Sequence, residues 1–456
     1  MPGNEVIVVG AGIGGLGAAT GLARRGRRVR VLEAASHPGG RMQALERDGD
    51  RVDVGAQFFH SNYTSCLALI DASGLADQRR PIAGKTQYRL ADGSSYEFDH
   101  NVRLMRLLGL RGHLELLAFA ARYLLLGKRF PMYQIAREIP EYDHVMASEV
   151  IGPGRFRDYL ARPVCWGETQ CGLEDTTLYH FLHQLRLTIG TDFVGLAGGV
   201  SSLCDALAKP LDVRYEAPVR RLLFERGRVA GVELEDGSVE RAAHVIVAVT
   251  PDAAARLLPP ELEERCAFLA TVDHVRISLP VFFLDRPLRR DVWSYFLDPA
   301  QEHGFAMAVD QTAKLPDMVP SGKAIVTAWP HYPGTETLMA LPDDEVIRRA
   351  LADLDLMIPG FAGFVEEARL VRHPFGTAWY TRGAYGRTLR FLHAAERLRG
   401  VSFVSSAFGG THMEAALRTA ERAVHRACAD VCQATTVGDG IPPSPEAREE
   451  QVDAQR

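Results

Sequence analysis

A glycine-rich stretch near the start of the chain has the residue types and spacing of a dinucleotide-binding motif. It lies between an apolar segment that predicts a strand, Val6–Val9, and a run of small residues that predicts a helix, Ile13–Arg25. Glycines allow a tight turn and a close backbone approach to a diphosphate, and the free N–H groups of the helix N-terminus attract its charge. The residues expected to contact it are Gly10, Gly12, Ile13, Gly14 and Gly15.

An acidic residue follows the second predicted strand, Val29–Leu32. The carboxylate of this residue, Glu33, is placed to accept hydrogen bonds from a ribose diol. It would repel a 2′-phosphate, which argues against NADP. These residues alone leave both FAD and NAD open.

A second glycine pair, Gly409-Gly410, precedes a predicted helix from about Thr411 to Val431. Thr411 and Glu414 have the spacing of a capping box, so the helix is expected to begin at Thr411. A histidine at this terminus, His412, has the chemistry to bind or deprotonate a substrate. The alternative is a structural histidine bonded to a nearby carbonyl group.

The remaining hydrophobic patterns indicate further strands and two insertions between them. Residues 100–190 are expected to be mostly helical, and residues 272–375 to mix strands with a helix. The predicted strands are Val219–Phe224, Val229–Leu234, His244–Val249, Ile277–Leu284, Ala324–Trp329 and Val401–Ser405, and the predicted helix is Asp343–Met357.

Composition excludes several classes of protein. The 456 residues carry a formal net charge of −5 without a dominant basic block, which argues against nucleic-acid binding. Seven scattered cysteines indicate a reducing compartment, so a cytoplasmic location is expected, and no signal peptide is expected before the first strand. The 15 histidines lack metal-ligand spacing, so no metal site is expected.

The longest apolar run, Leu114–Leu126, is interrupted by Glu115 and Arg122 and is too short to cross a bilayer. It is expected to be a helix of the fold. Contact of this helix with a membrane surface stays open as an alternative, because cations flank it. These cations are Arg103, Arg106, Arg111, Lys128 and Arg129.

The stretch from Glu33 to Met42, which contains Gly39-Gly40-Arg41, resembles the signature of the flavin amine oxidase, protoporphyrinogen oxidase and phytoene desaturase superfamily. The likeness continues through Val52–Phe58, Gly198–Leu203 and Gly409–Ala416, nearly the whole chain to about Val431. It implies FAD as the cofactor. By position it assigns to the flavin site Gly40, Arg41, Gly55, Ala56, Gln57, Phe58, Val219, Ser406, Thr411 and Met413.

The resemblance also suggests residues of the redox site. His412 takes the position of one tyrosine of a substrate-flanking aromatic pair, and Tyr380 that of an aromatic wall beside the flavin. Trp379 is expected to line the pocket, with plain core packing as its alternative, and Trp166 is divided between the same two roles. Arg276 is a candidate clamp for a substrate carboxylate, and Arg382 is another.

Three departures from the family pattern modify these expectations. The segment Phe375–Gly383 contains no cysteine for covalent attachment, so the FAD is expected to be non-covalent. Ser278 stands where many amine oxidases have a lysine. Its absence weakens the interpretation as an amine oxidase and the expectation that the protein uses oxygen promptly. Ser405-Ser406-Ala407 replaces the usual acidic residue after the last strand.

The expected fold class is α/β: a discontinuous Rossmann-like FAD-binding domain with a three-stranded β-meander, and an α+β substrate-binding domain with a helical lobe. The predicted FAD-binding domain comprises residues 1–85, 195–271 and 384–434. The substrate-binding domain comprises 86–194 and 272–383, with the helical lobe at 100–190, and a disordered tail is expected at 435–456.

The expected activity is FAD-dependent removal of a hydride from a C–H bond onto flavin N5. The substrate is expected to be a small, largely apolar biosynthetic intermediate that undergoes C–C desaturation or C–N oxidation, with O2 or another electron acceptor as partner. Monoamine or amino-acid oxidation to an imine is the first alternative. A non-redox flavin-dependent isomerase or cyclase is another, and a degenerate flavoprotein acting as a scaffold is a third.

Overall fold

A computed structural model describes residues 5–99 and 105–438. Its strands are β1 (Glu5–Val9), β2 (Arg28–Leu32), β3 (Ala44–Arg47), β4 (Asp50–Asp53), β5 (Phe59–His60), β6 (Arg79–Pro81), β7 (Lys85–Arg89), β8 (Ser95–Phe98), β9 (Phe193–Leu196), β10 (Asp212–Arg214), β11 (Val219–Glu225), β12 (Arg228–Leu234), β13 (Val239–Arg241), β14 (His244–Val247), β15 (Ile277–Leu284), β16 (Val292–Leu297), β17 (Met307–Asp310), β18 (Ile325–Trp329), β19 (Val365–His373) and β20 (Val401–Phe403).

The α-helices within the same ranges are α1 (Ile13–Ala23), α2 (Thr64–Ala72), α3 (Gly109–Phe119), α4 (Pro140–Asp143), α5 (Ala147–Val150), α6 (Arg162–Thr169), α7 (Leu178–Thr188), α8 (Ser201–Ala208), α9 (Pro251–Arg256), α10 (Glu263–Ala270), α11 (Gln311–Lys314), α12 (Gly334–Ala340), α13 (Asp343–Met357), α14 (Ala384–Ala395) and α15 (Met413–Gly438). Helix α3 continues into a π-helical turn, Ala120–Leu125.

A five-stranded parallel sheet brings together distant parts of the chain. Its order is β10-β2-β1-β14-β20, and all neighbouring pairs in it are parallel. Every residue of β14 is buried, which explains why this strand is a continuous apolar run apart from its first histidine. Helices α1 and α15 pack closely against each other beside this sheet. Their contact leaves no room for a larger residue at Gly17, where a Cβ atom would lie 2.3 Å from Leu417 Cδ2.

A second, larger sheet has the order β19-β15-β18-β17-β16-β7-β8. Its strand β15 is buried at every position and pairs antiparallel with β18 and β19. A separate antiparallel meander contains β11, β12 and β13. The hairpin turn between its first two strands is made by Arg226 and Gly227, both with positive φ, as their sequence predicts.

The structure confirms the predicted mixed α/β class and most predicted elements. Strand Ile277–Leu284 and helix Asp343–Met357 have the predicted bounds. Between 105 and 188 the described residues form helices and no strand, as expected for the first insertion. The predicted disorder is wrong for residues 435–438, which continue α15. Residues 439–456 and Arg103 lie outside the described residues.

The described helices were also compared with the requirements of a bilayer. Within 5–99 and 105–438, no helix is both long enough and apolar enough to cross a membrane.

Candidate active site

The turn between β1 and α1 accepts only glycine at two positions. Gly10 has φ +102°, and a Cβ atom there would lie 2.7 Å from the carbonyl oxygen of Ala248. A Cβ atom at Gly15 would lie 2.0 Å from the carbonyl oxygen of Gly10. A Cβ atom at Gly14 would likewise lie 2.7 Å from Val404 Cγ1. These contacts fix the N-terminus of α1 against the end of the parallel sheet.

Gly12 and Gly40 lie next to each other beside an open space, which we call the glycine cleft. A Cβ atom at Gly12 would meet no atom within 4 Å, and one at Gly40 would approach only Gly12 Cα, at 3.5 Å. A β-bridge between Gly12 and Gly39 holds the two loops side by side. Ile13 begins α1, whose first N–H groups have no intrahelical partner. The cleft therefore has room and N–H donors for an anionic group.

Arg41 supplies a positive charge beside this cleft. Its guanidinium donates to the carbonyl oxygen of Gly376 at 2.9 Å and to Ser406 Oγ at 3.1 Å. Burial lowers its pKa, but Arg41 stays protonated because the guanidinium group is not deprotonated in proteins. None of the ion pairs among the described residues includes Arg41. A half-buried cation whose hydrogen bonds, within the described residues, go to neutral oxygens is suited to an anion from outside the protein.

The side chain of Glu33 contacts the first glycine turn. Its carboxylate accepts hydrogen bonds from the backbone N–H of Ala11 at 2.6 Å and of Ala35 at 2.9 Å. Glu33 thus fixes the glycine turn and is half-buried. Val219 begins β11, is half-buried, and pairs with Leu234.

The segment after β4 packs on the backbone of Arg41. The N–H of Ala56 donates to the carbonyl oxygen of Arg41 at 3.0 Å, and a Cβ atom at Gly55 would lie 2.0 Å from the same oxygen. The side chain of Gln57 bonds back to the carbonyl oxygens of Asp53 and Gly55.

The next residue, Phe58, turns toward an aromatic group. Its ring contacts Phe193 and Trp293 at centroid distances of 4.2 and 6.3 Å. The predicted segment therefore contacts Arg41 through its backbone. The side chain of Gln57 bonds to its own segment, and that of Phe58 packs on other aromatic rings.

A buried lysine, Lys314, lies against this segment and was not predicted. Its Nζ is 3.6 Å from Asp53 Oδ2 and donates to Gln57 Oε1 at 3.0 Å. Asp53 also accepts from the N–H of Val200 at 3.1 Å. Burial lowers the pKa of Lys314 and raises that of Asp53, and each charge opposes the shift of the other. The pair fastens the Val52–Phe58 segment to the start of α8.

The second glycine turn differs from its prediction in one respect. Helix α15 begins at Met413, and Thr411 lies before it with φ +75°, a backbone conformation rarely adopted by a β-branched residue. The predicted capping box is wrong, because the carboxylate of Glu414 accepts from the N–H groups of Ser65 and Cys66, both at 2.9 Å. Glu414 therefore caps α2, an element far away in sequence.

Ser406 joins this turn to Arg41. Its carbonyl oxygen accepts from the N–H of Thr411 at 3.1 Å, while its Oγ accepts from the Arg41 guanidinium at 3.1 Å. The half-buried Met413 follows as the first residue of α15. The structure thus links Arg41, Ser406 and Thr411 by hydrogen bonds beside the glycine cleft.

Tyr380 is buried beneath the same turn. Its hydroxyl donates to the carbonyl oxygen of Ala407 at 2.6 Å and accepts from the N–H of Gly410 at 3.1 Å. Its ring stacks on His180 at 4.4 Å. Burial raises its pKa, so the hydroxyl stays protonated. Tyr380 holds the glycine turn in place.

His412 is surrounded by aromatic and imidazole rings. The rings of His183, Tyr63 and Tyr133 lie 5.5, 6.3 and 6.4 Å from it between centroids. Its Nε2 is buried without a hydrogen-bond partner among the described residues. Burial lowers the pKa of His412 to about 3, so the ring is neutral at physiological pH. The carbonyl-bonded alternative therefore finds no support at Nε2.

A buried carboxylate, Glu168 on α6, lies near this group of rings. His60 Nε2 is 3.4 Å from Glu168 Oε1, and Thr188 donates to the same oxygen at 3.3 Å. Burial raises the pKa of Glu168, but the neighbouring His60 imidazole and, more weakly, the hydrogen bond from Thr188 outweigh it and hold the pKa below its ordinary value. Glu168 is therefore ionised. We call His60, Glu168, His183 and His412, with Tyr63 and Tyr133, the His412 cluster.

The His412 cluster adjoins the glycine turn. A Cβ atom at Gly410 would lie 2.1 Å from His183 Cε1, so the imidazole rests on the turn itself. This grouping is hard to predict from the sequence, because its members come from separate segments. The only local signals were the pair His180 and His183 on one helix face, and an acid, Glu168, on an otherwise buried helix.

The other predicted site residues occupy different surroundings. Trp379 Nε1 donates to the carbonyl oxygen of Asp175 at 2.8 Å, and its ring packs on Tyr332 at 4.5 Å. Arg276 is 53% exposed and paired with Glu336. No hydrogen bond among the described residues joins Arg276 to the His412 cluster, so the structure does not bring it to the site.

Three further residues that the family resemblance singled out also have partners of their own. Trp166 stacks on His331 at 4.5 Å. Arg382 pairs with Glu149 at the surface. Ser278, at the position of the missing lysine, donates to Met339 Sδ at 3.2 Å and is buried.

Comparison with known proteins identifies the family. The model of flavin-containing amine oxidoreductases matches residues 13–428. The chain belongs to this family. The predicted superfamily and the flavoprotein oxidoreductase class are thereby confirmed, and a flavin is the cofactor that the family implies.

Relatives with curated functions include both desaturases and amine oxidases. The chain is 25% identical over 277 residues to a neurosporene-forming phytoene desaturase of Cereibacter sphaeroides, covering 53% of this chain and 52% of the relative. It is 39% identical over 95 residues to the putrescine oxidase of Kocuria rosea, 21% of this chain and 20% of the relative. The chain thus matches about half the length of the first of these relatives and less of the second.

Solved structures match nearly the full chain at low identity. Cyclohexylamine oxidase from Brevibacterium oxydans has a TM-score of 0.71 at 18% identity, covering 94% of this chain and 99% of that chain. A putrescine oxidase bound to putrescine has a TM-score of 0.71 at 19% identity, with 93% and 99% coverage. The family's overall fold is therefore shared.

The residues present fit the nucleotide part of a flavin cofactor. The glycine cleft leaves space at Gly12, and the N-terminus of α1 offers N–H groups. Arg41 is a half-buried cation whose hydrogen bonds, among the described residues, go to neutral groups. These are the features that a diphosphate requires.

Proposed function

We propose that this protein is an FAD-dependent oxidoreductase that oxidises a small polar substrate at a carbon bonded to nitrogen. The observation that carries the cofactor is the half-buried Arg41 guanidinium beside the glycine cleft, whose hydrogen bonds among the described residues go to Gly376 and Ser406. Bound there, FAD supplies the two-electron acceptor. Gly10 to Gly15 and Arg41 would hold its diphosphate, and the carboxylate of Glu33 would accept a hydrogen bond from a ribose hydroxyl.

The cofactor is proposed to be non-covalent. The segment from Phe375 to Gly383, where some relatives carry the linking cysteine, contains none in this chain. The Rossmann-like FAD-binding domain (1–85, 195–271, 384–434) and the substrate-binding domain (86–194, 272–383) are proposed as the units that hold cofactor and substrate. The parallel sheet β10-β2-β1-β14-β20 supports this division, because its strands come from the first set of segments.

The proposed substrate group is an amine, because of the chemistry of the His412 cluster. His412 is neutral, and its buried Nε2, which has no hydrogen-bond partner among the described residues, can bond a substrate N–H group. The ionised Glu168 favours positive charge nearby, on the substrate nitrogen. An entirely apolar substrate would leave these groups without partners, at a cost in free energy.

C–C desaturation is the second candidate. The match to a phytoene desaturase extends over 277 residues, compared with 95 for the putrescine oxidase. Isomerisation without net oxidation can be distinguished from both reactions, because its substrate would not leave the bound FAD reduced.

Anaerobic reduction of the bound FAD, followed by absorbance, tests this proposal. We expect putrescine-like and cycloalkyl amines to bleach the flavin bands and phytoene to leave them unchanged. His412→Ala should keep FAD and slow bleaching at least about 100-fold, and Glu168→Gln about 10-fold or more. His425→Gln, which replaces an exposed histidine on α15, is the matched control and should not change the rate of bleaching.

Each contrary result has a definite meaning. Bleaching by phytoene alone would replace amine oxidation by desaturation. An unchanged rate in His412→Ala would remove His412 from the mechanism.

A further inference from the structure

Helix α3 and the π-helical turn that follows it expose a row of leucines. Leu110, Leu114, Leu117, Leu125 and Leu126 are 81%, 59%, 65%, 74% and 86% exposed. Leu110, Leu114, Leu117, Ala121 and Leu125 follow one another at intervals of three or four residues. This spacing places them on one side of a continuous helix. We call this row the leucine stripe.

The opposite side of the same helix is already occupied. Gly112 and Phe119 are buried, and Leu116, Tyr123 and Leu124 pack against the largest hydrophobic core cluster. The helix is therefore fixed to the protein by one apolar side and presents a second to the outside. Exposed apolar surface of this extent is uncommon on proteins that have no partner there.

Positive charge surrounds the leucine stripe. Between residues 105 and 129 the chain has five cations and a single carboxylate, Glu115, in a protein whose formal net charge is −5. The cations lie near both ends of the stripe, and all are exposed: Arg106, Arg111, Arg122, Lys128 and Arg129. Arg111 pairs with Glu115 and Lys128 with Glu141, while their side chains stay 88% and 56% exposed.

We propose that the leucine stripe docks on a lipid bilayer with anionic headgroups. The leucines enter the boundary of the acyl chains, and the flanking arginines and lysine reach the headgroup phosphates. The helix lies in the plane of the surface, in agreement with the absence, within the described residues, of a helix able to cross a membrane. A second copy of this chain would place the same cations opposite each other, which disfavours a symmetric dimer through this face.

Vesicle co-sedimentation of the FAD-loaded protein tests the proposal. We expect binding to vesicles of phosphatidylglycerol and phosphatidylcholine, and at least tenfold weaker binding to pure phosphatidylcholine or in high salt. The double substitution Leu114→Gln and Leu117→Gln should reduce binding to the anionic vesicles at least tenfold. The triple substitution Arg122→Gln, Lys128→Gln and Arg129→Gln should reduce both the affinity and its salt dependence.

The matched control replaces two exposed apolar residues elsewhere. Leu356→Gln and Val239→Gln remove side chains that are 56% and 49% exposed, and should leave vesicle binding unchanged. Equal losses in the control and stripe variants would overturn the proposal, and so would the absence of binding to anionic vesicles. A change in molar mass of the stripe variant, measured by light scattering, would instead assign the stripe to a second copy. FAD content and bleaching are read separately, so neither result depends on the proposed oxidation.

Discussion

Tyr380 and Gly410 are joined by a hydrogen bond from the backbone N–H of Gly410 to the phenol oxygen, at 3.1 Å. The same hydroxyl donates to the carbonyl oxygen of Ala407, so one buried side chain spans both ends of the turn that precedes α15. An aromatic wall was expected at this position. The structure shows a tyrosine whose hydroxyl positions the turn next to His412.

Tyr380→Phe is therefore expected to destabilise the protein by about 1–3 kcal/mol, because the N–H of Gly410 and the carbonyl of Ala407 stay buried without their partner. Urea unfolding of the apoprotein measures this. Tyr179→Phe is the matched control, since the Tyr179 hydroxyl is buried and has no hydrogen-bond partner among the described residues. Its loss should change the free energy of unfolding by less than about 0.5 kcal/mol. Equal destabilisation of the two variants would contradict the role given to Tyr380.

The buried pair Asp53 and Lys314 gives a second prediction. Lys314→Met leaves Asp53 buried without its cation and should cost about 3–5 kcal/mol of unfolding free energy. Asp53→Asn in the same chain removes the isolated charge, while its amide oxygen can still accept from the N–H of Val200. The double variant should therefore be more stable than Lys314→Met alone.

A double-mutant cycle in urea measures the coupling between Asp53 and Lys314. Strictly additive losses would show that the two charges do not interact. As a control, the exposed pair Lys323 and Glu366 should give a coupling below about 1 kcal/mol.

Buried histidines predict a loss of stability in acid. Burial lowers the pKa of His331 and of His274 to about 4, whereas an unfolded histidine titrates near 6.5. As the pH falls from 6.5 toward 4, the unfolded chain binds protons that the folded chain does not, so the free energy of unfolding decreases. Each histidine contributes about 1.4 kcal/mol per pH unit, up to about 3 kcal/mol.

His331→Phe isolates one of these contributions, because phenylalanine keeps a ring against Trp166 but does not titrate. The variant should lose less stability than the wild type between pH 7 and pH 5, measured by urea unfolding at each pH. His425→Gln, which replaces an exposed histidine, should follow the wild type. Parallel curves for wild type and His331→Phe would show that His331 does not resist protonation.

Local chemistry made one part of the site predictable. The conformations of Gly10 and Gly15 depend on contacts within a single turn and its neighbouring strand, and their spacing is visible in the sequence. Glu414 shows the limit of such reasoning. It has the spacing of a capping box with Thr411, yet its carboxylate bonds to Ser65 and Cys66, which only the tertiary fold brings near.

The His412 cluster could not be predicted for a related reason. His60, Glu168 and His183 come from three segments whose local patterns indicate only a strand end and two buried helices. Lys314 gave no signal either, because a lone lysine in a sequence is ordinarily exposed. Its burial follows from the partners Asp53 and Gln57.

The most direct test of the central claim is the absorbance spectrum of the purified protein before and after acid precipitation, with FAD affinity measured on the apoprotein. We expect oxidised-flavin bands that leave with the supernatant, and an FAD dissociation constant raised at least about tenfold in Arg41→Met but not in Arg390→Met, an exposed arginine paired with Glu138. A colourless protein that does not bind added FAD would contradict the account.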